Sequence, residues 1–182
     1  RKHAIDINFD KRYLSIFGGK LTDCINVGNE VAEIIKSFSI ALPYIDKKWY
    51  GEPDDSVKQE FMHRATLMNF DSLAPKTSSE PLSQRFWRRY RRNAINMLES
   101  IRENPRKGEL LIKNSEYLRV EIEHAAQREM VTKLEDFLRR RSKMSLVLTK
   151  QEILADPGLL EACEILFGER AQEKLTEYRL SK

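Results

Sequence analysis

Phe17-Gly18-Gly19-Lys20-Leu21-Thr22 separates a short β-rich start from a remainder that reads as helix almost throughout. Before it, His3, Ile5 and Ile7 alternate with Ala4, Asp6 and Asn8, the period of two expected of a half-buried strand. After Phe9 to Arg12, a second run of β-formers extends from Tyr13 to Phe17. The pair predicts a β-hairpin. The two glycines break the chain, and from Thr22 onward Val27, Gly28, Val31, Ile35 and Phe38 fall at helical spacing. This unit therefore reads as strand, glycine turn, helix.

From Ser39 to Pro53 no period is sustained, and Pro43 and Pro53 bracket Lys47-Lys48-Trp49-Tyr50-Gly51, which marks a domain boundary. The division expected is residues 1–50, the C-terminal end of one domain, and 51–182, a helical domain. In the second part, Val57, Phe61, Ala65 and Met68 form one apolar stripe. Leu82, Phe86, Tyr90, Ala94, Met97 and Ile101 form a longer stripe that reads as a single helix, after the polar loop Asp71 to Ser79. A third helix carries Leu118, Ile122, Ala125, Ala126 and Met130 inward. Thr132-Lys133-Leu134-Glu135 has the form of a capping box that restarts a helix with Leu134, Phe137 and Leu138 inward, and Thr149-Lys150-Gln151-Glu152 has the same form. Asp156-Pro157 opens a helix burying Leu159, Ala162, Cys163 and Leu166. Gly168 ends it, and a last helix turns Ala171, Leu175 and Tyr178 inward.

Composition agrees with this mainly α reading. Only 7 of 182 residues are glycine, which disfavours turn-rich β architectures. Hydrophobic residues at 41% suffice for a packed core, and no apolar run approaches the ~20 residues of a membrane-spanning helix. The net charge of +4 is too weak to imply nucleic acid by itself. Two cysteines, Cys24 and Cys163, make no disulfide framework and suit a reducing compartment. The chain opens at Arg1 with residues that read as domain interior, so it is expected to be part of a longer polypeptide.

Three segments could carry chemistry. The glycine turn combines close backbone approach with a lysine and a helix start near Thr22, whose free N–H groups favour negative charge. It is no P-loop, since Leu14 and Leu21 stand where a glycine and a Ser/Thr are required. The alternative is a tight turn with a solvated lysine. In Arg85-Phe86-Trp87-Arg88-Arg89-Tyr90-Arg91-Arg92, cations interleave with aromatics as in binders of nucleic acid or anionic membranes. Phe86 and Tyr90 belong to the apolar stripe, which puts Arg85, Arg88, Arg89 and Arg92 on an outer face that could equally be merely solvated. Glu135 and Asp136 precede Arg139 and Arg140 by four residues, the order of intrahelical ion pairs. His3, His63 and His124 show no metal-ligand spacing, and no nucleophile elbow or Cys/His pairing occurs.

Two separated segments resemble one family. Arg1-Lys2-His3, the strand pair and Gly18-Gly19-Lys20-Leu21-Thr22 resemble the end of the FAD domain of FAD-dependent glycerol-3-phosphate dehydrogenases. Tyr117-Leu118-Arg119-Val120-Glu121, Glu129-Met130 and Leu134-Glu135-Asp136-Phe137-Leu138-Arg139-Arg140-Arg141 resemble the signature of that family's helical C-terminal domain. The resemblance implies a helical C-terminal domain preceded by a hairpin and strand-turn-helix remnant of an α/β flavin domain. It implies Arg1 and Lys20 as substrate-binding cations, and Gly18, Gly19, Leu21 and Thr22 as cofactor-binding residues beside FAD. No residue of this chain is assigned to catalysis or to a metal.

The implied reaction is oxidation of glycerol 3-phosphate to dihydroxyacetone phosphate, with electrons leaving for a quinone or, in the oxidase branch, oxygen. The implied setting is cytoplasmic, peripheral on the cytoplasmic membrane, with homo-oligomers as a further expectation; the clustering of Arg85, Arg88, Arg89 and Arg92 on one helix face separately points to an anionic membrane surface as partner. The Gly-x-Gly-x-x-Gly dinucleotide turn is absent from these residues, so this chain alone is not expected to catalyse. Asp23-Cys24-Ile25 departs from the family's Thr-Tyr-Arg, and Tyr90-Arg91-Arg92-Asn93 from its Tyr-Gly-Ser-Arg. The rival expectation is a stand-alone basic helical module that binds nucleic acid or an anionic membrane.

Overall fold

The computed structural model describes residues 2–43, 53–76 and 78–181. It is mainly helical, 63% helix against 7% strand, with a two-stranded hairpin before the helices. The chain divides into two compact units, Arg1–Tyr50 and Gly51–Lys182.

In the first unit, β1 (Ala4–Asn8) and β2 (Tyr13–Phe17) pair antiparallel, Ala4 opposite Phe17 and Asn8 opposite Tyr13. Asn8 Oδ1 accepts the Lys11 N–H at 2.8 Å, an Asx turn that starts the reversal, and Arg12 completes it at φ 52°. A short 3₁₀ turn, Leu21–Asp23, leads into α1 (Cys24–Ser37). The Phe9 ring meets Phe38 edge-on at 5.4 Å. No described residue here is fully buried, so hairpin and helix close no core of their own. Much of the Ser39 to Pro53 segment lies outside the described residues.

The second unit contains α2 (Asp55–Leu67), α3 (Leu82–Tyr90), α4 (Asn93–Glu103), α5 (Arg119–Arg128), α6 (Lys150–Ala155), α7 (Leu159–Phe167) and α8 (Ala171–Leu180). Two apolar cores hold it together. Phe61, Phe70, Leu82, Phe86 and Leu98 fill the first, with Phe70 and Phe86 edge to face at 4.9 Å. Ile122, Leu134, Phe137, Leu138, Ile153 and Ala162 fill the second. The α5 region serves both, Leu118 and Val120 facing one core while Ile122 and Ala125 face the other.

The stripe read as one helix from Leu82 to Ile101 is two. It breaks at Arg91, whose φ of 47° and ψ of −124° no helix accommodates, and α4 resumes two residues later with its apolar face in phase. That phase hides the break from a periodicity argument. The backbone region is one glycine occupies freely, and the resembling family carries glycine there; an L side chain costs about 1–3 kcal/mol. The Arg91 guanidinium also lies 5.9 Å from the centre of the Trp87 ring, a cation–π contact.

Three other local expectations need correction. Met130 is not inward: α5 ends at Arg128, and Met130 follows at φ 50° and 86% exposed. The restart at Thr132 is real, but its acceptor is Asp136, whose Oδ2 takes the Lys133 N–H at 2.9 Å and the Thr132 hydroxyl at 3.0 Å. Glu135 instead pairs with Arg139 at 3.5 Å, and Asp136 with Arg140, so the intrahelical pairs form as expected. The reason lies in the next turn, Asp136–Arg141, which is π-helical: Phe137 O accepts the Ser142 N–H at 2.8 Å. Pro157 is not the first helical residue; α7 begins at Leu159, with Asp156 Oδ1 accepting the Gly158 N–H at 2.8 Å. The Thr149 box is present, Glu152 Oε2 accepting the Thr149 N–H at 2.7 Å and Thr149 Oγ1 accepting the Glu152 N–H at 3.3 Å.

Candidate functional site

Gly18 and Gly19 both have positive φ, 72° and 93°, which is why this turn needs glycine. They also bring the chain's first residues close. A Cβ on Gly18 would sit 3.3 Å from the Lys2 carbonyl oxygen, and one on Gly19 3.5 Å from His3 Cβ. Lys20 and Thr22 are exposed and Leu21 is 90% exposed, an unusual position for a large aliphatic side chain. Among the sequence-derived site residues, Gly18 to Thr22 thus form one ledge that is exposed except at the half-buried Gly19. Arg1 lies outside the described residues. An exposed Leu21 beside the glycine turn, with Lys20 next to it, is compatible with a planar ring carrying a polar rim, as in a flavin.

The helix start behaves differently from the expectation. α1 begins at Cys24, and the residue before it, Asp23, brings its own carboxylate to the positive end of the dipole. Asp23 is held by two donors, Asn26 Nδ2 at 2.8 Å and His3 Nδ1 at 3.1 Å. The other ring nitrogen of His3 reaches Glu30 Oε2 at 2.6 Å. An imidazolium donates from both nitrogens, which suits a ring between two carboxylates. The bond to Glu30 does most to raise the His3 pKa, desolvation works against it and Asp23 adds to it. His3 therefore ties the start of the hairpin to the first turns of α1. Sequence spacing concealed this, since the partners lie 20 and 27 residues away.

The arginine-aromatic helix is largely turned inward. Arg85 was expected on an outer face, yet it is 3% exposed and its Nη2 meets Glu121 Oε2 at 2.6 Å, with Glu121 wholly buried. Glu121 Oε2 also accepts the Leu118 N–H at 2.9 Å, and Oε1 the Tyr90 hydroxyl at 2.9 Å. Burial pushes the Glu121 carboxyl up, while Arg85, the Leu118 N–H and Tyr90 pull it down. Arg89 is also drawn in: it bonds the Tyr117 hydroxyl, and its guanidinium lies 4.5 Å from the centre of that ring. Of the four arginines assigned to an outer face, Arg88 and Arg92 are the exposed ones, and Arg88 pairs with Glu80. A helical wheel cannot tell an outward cation from one whose partner is a carboxylate far along the chain.

The motif carrying the resemblance thus has structural work. Glu121 joins α3 to α5, Arg119 joins α5 to α7 through Glu161, Phe137 packs edge-on to Tyr117 at 6.1 Å, and Asp136 caps the restart. Cys163 is buried, and burial pushes its thiol up to about 11, so it is no nucleophile at neutral pH. Among the described residues no three His, Cys, Asp or Glu side chains gather as metal ligands, and no helix is long and apolar enough to cross a membrane.

No curated protein and no solved structure matches the chain. A family model does, over residues 25–173, which begins just after the glycine turn and takes in α1 together with nearly all of the helical unit. The residues that tie that unit together, Tyr117 to Glu121 and Leu134 to Arg141, fall within the match. The chain belongs to the family of the C-terminal domain of alpha-glycerophosphate oxidase, a family of FAD-dependent oxidoreductases.

Proposed function

We propose that this chain is the C-terminal portion of an FAD-dependent enzyme that oxidises glycerol 3-phosphate to dihydroxyacetone phosphate and passes the electrons to a quinone or to oxygen. The family match over residues 25–173 carries this reading, and the exposed glycine ledge supports it. In this reading Lys20 and Arg1 hold the substrate's phosphate by charge-assisted hydrogen bonds and so orient its reacting carbon. The Gly18 and Gly19 backbone, with Leu21 and Thr22, lines the flavin. FAD supplies the hydride acceptor when bound; the residues of this chain bind, orient and exclude water. The chain alone does not catalyse, because the dinucleotide-phosphate turn is not among its residues. With quinone as acceptor the enzyme works at the cytoplasmic membrane surface, where Arg88 and Arg92 are the arginines of the cluster left to face anionic lipid.

The test is the visible spectrum of the complete polypeptide without oxygen, before and after glycerol 3-phosphate. Bleaching of a flavin band is the expected result, and a protein that stays colourless after incubation with FAD would overturn the reading. In the same polypeptide, Lys20→Ala is expected to raise KM for glycerol 3-phosphate at least tenfold, since a charged hydrogen bond is worth about 1.5–3 kcal/mol, without changing the melting temperature. Unchanged kinetics would remove Lys20 from the site.

A further inference from the structure

The helical unit carries charge that the family reading does not use. The buried cluster of Arg85, Arg89 and Glu121 brings together two guanidinium groups and one carboxyl. Arg85 Nη1 is fully buried and has no hydrogen-bond partner among the described residues. Arg89 Nη1 comes no closer to Glu121 than 3.7 Å. Excess buried positive charge is costly unless an anion meets it. Both guanidinium groups lie over one ring, Tyr117, at 5.3 Å for Arg85 and 4.5 Å for Arg89.

That ring is also a wall of a cavity of about 530 Å³, within the range of small-molecule sites. Arg89 and Lys143 line it, and Lys143 forms no ion pair among the described residues. Met144, Val147 and Leu148 form its apolar side, with Val147 82% exposed at the opening. Glu116 is the one carboxylate in the lining, so the cations outnumber it. Two cations, Arg89 and Lys143, thus border an apolar wall within one cavity.

We propose that this cavity binds an amphipathic organic anion, its carboxylate or phosphate head on Arg89 and Lys143 and its short aliphatic part against Met144, Val147 and Leu148. This inference does not rest on the flavin reading. Its test is calorimetric titration of the whole chain with octanoate, octyl phosphate and octylammonium. Saturable binding of an octyl anion, and little of octylammonium, is expected; the tighter of the two anions identifies the head group. Lys143→Asn removes the charge while tolerating the positive φ of 59° at that position, and Val147→Asp places a like charge at the opening. Each is expected to weaken anion binding at least tenfold with an unchanged melting temperature. Equal binding of octylammonium, anion affinity unchanged in both variants, or no binding at millimolar concentration would each overturn the proposal.

Discussion

Glu121→Gln is expected to lower the unfolding free energy of the helical unit by about 3–5 kcal/mol, because it removes one charge of a buried pair and strands the other. Arg85, 3% exposed, would be left without its carboxylate 2.6 Å away. The amide keeps one acceptor oxygen for the Leu118 N–H, and the Tyr90 hydroxyl can turn to accept from the amide NH2, so the loss reads chiefly on the ion pair. Urea unfolding followed by far-ultraviolet circular dichroism measures it, and a loss under about 1 kcal/mol would show that the arginine finds another anion. The double variant Arg85→Met with Glu121→Leu is expected to recover part of the stability, since a buried pair is often matched by apolar packing. Recovery stays incomplete, because Tyr90 and the Leu118 N–H then lose their acceptor.

The second large effect belongs to Gly158. Its backbone φ of −80° suits any residue, so conformational freedom is not what glycine provides there. A Cβ at this position would sit 1.7 Å from the Leu111 carbonyl oxygen and 2.6 Å from its carbonyl carbon, both backbone atoms that cannot rotate away. Gly158→Ala must therefore push the Leu111 segment off the start of α7, where Asp156 also accepts the Lys113 N–H at 2.7 Å. A loss of about 3 kcal/mol is expected, the upper range for overpacking, seen as a melting temperature lower by roughly 6–12 °C. Gly168→Ala is the contrast: its φ is 58° and ψ −127° but open space surrounds it, so only the backbone cost of about 1–3 kcal/mol applies. A Gly158→Ala melting temperature equal to that of the parent chain would refute the close approach.

The faces of the later helices were legible because they follow from local period. Leu159, Ala162, Cys163 and Leu166, and then Ala171, Leu175 and Tyr178, are all buried as their spacing requires. The Thr149 cap and the intrahelical pairs at Glu135 and Asp136 depend on residues three or four apart, which one turn of helix brings together. The glycine turn was legible for the same reason, its positive φ angles being a property of the two residues themselves. Arg85 and Arg89 were misread because their partners, Glu121 and Tyr117, stand 36 and 28 residues further on. Ser83 presents the same case: its N–H at the start of α3 is accepted by Asp71 at 2.7 Å, across a loop that reads only as polar.

The amino-acid sequence by itself determined the mainly helical class, the hairpin before it, the inward faces of its longer stripes and, through its motifs, the family. These all rest on interactions within a turn or two, where chain geometry leaves little choice. Only the tertiary structure decided that Arg85 is a buried ion-pair partner, that His3 spans Asp23 and Glu30, and that Gly158 clears a path for Leu111. It alone set Arg89 and Lys143 beside the apolar wall of one cavity. Such contacts depend on which distant segments the two cores press together, and burial then turns each polar group into a demand for one particular partner.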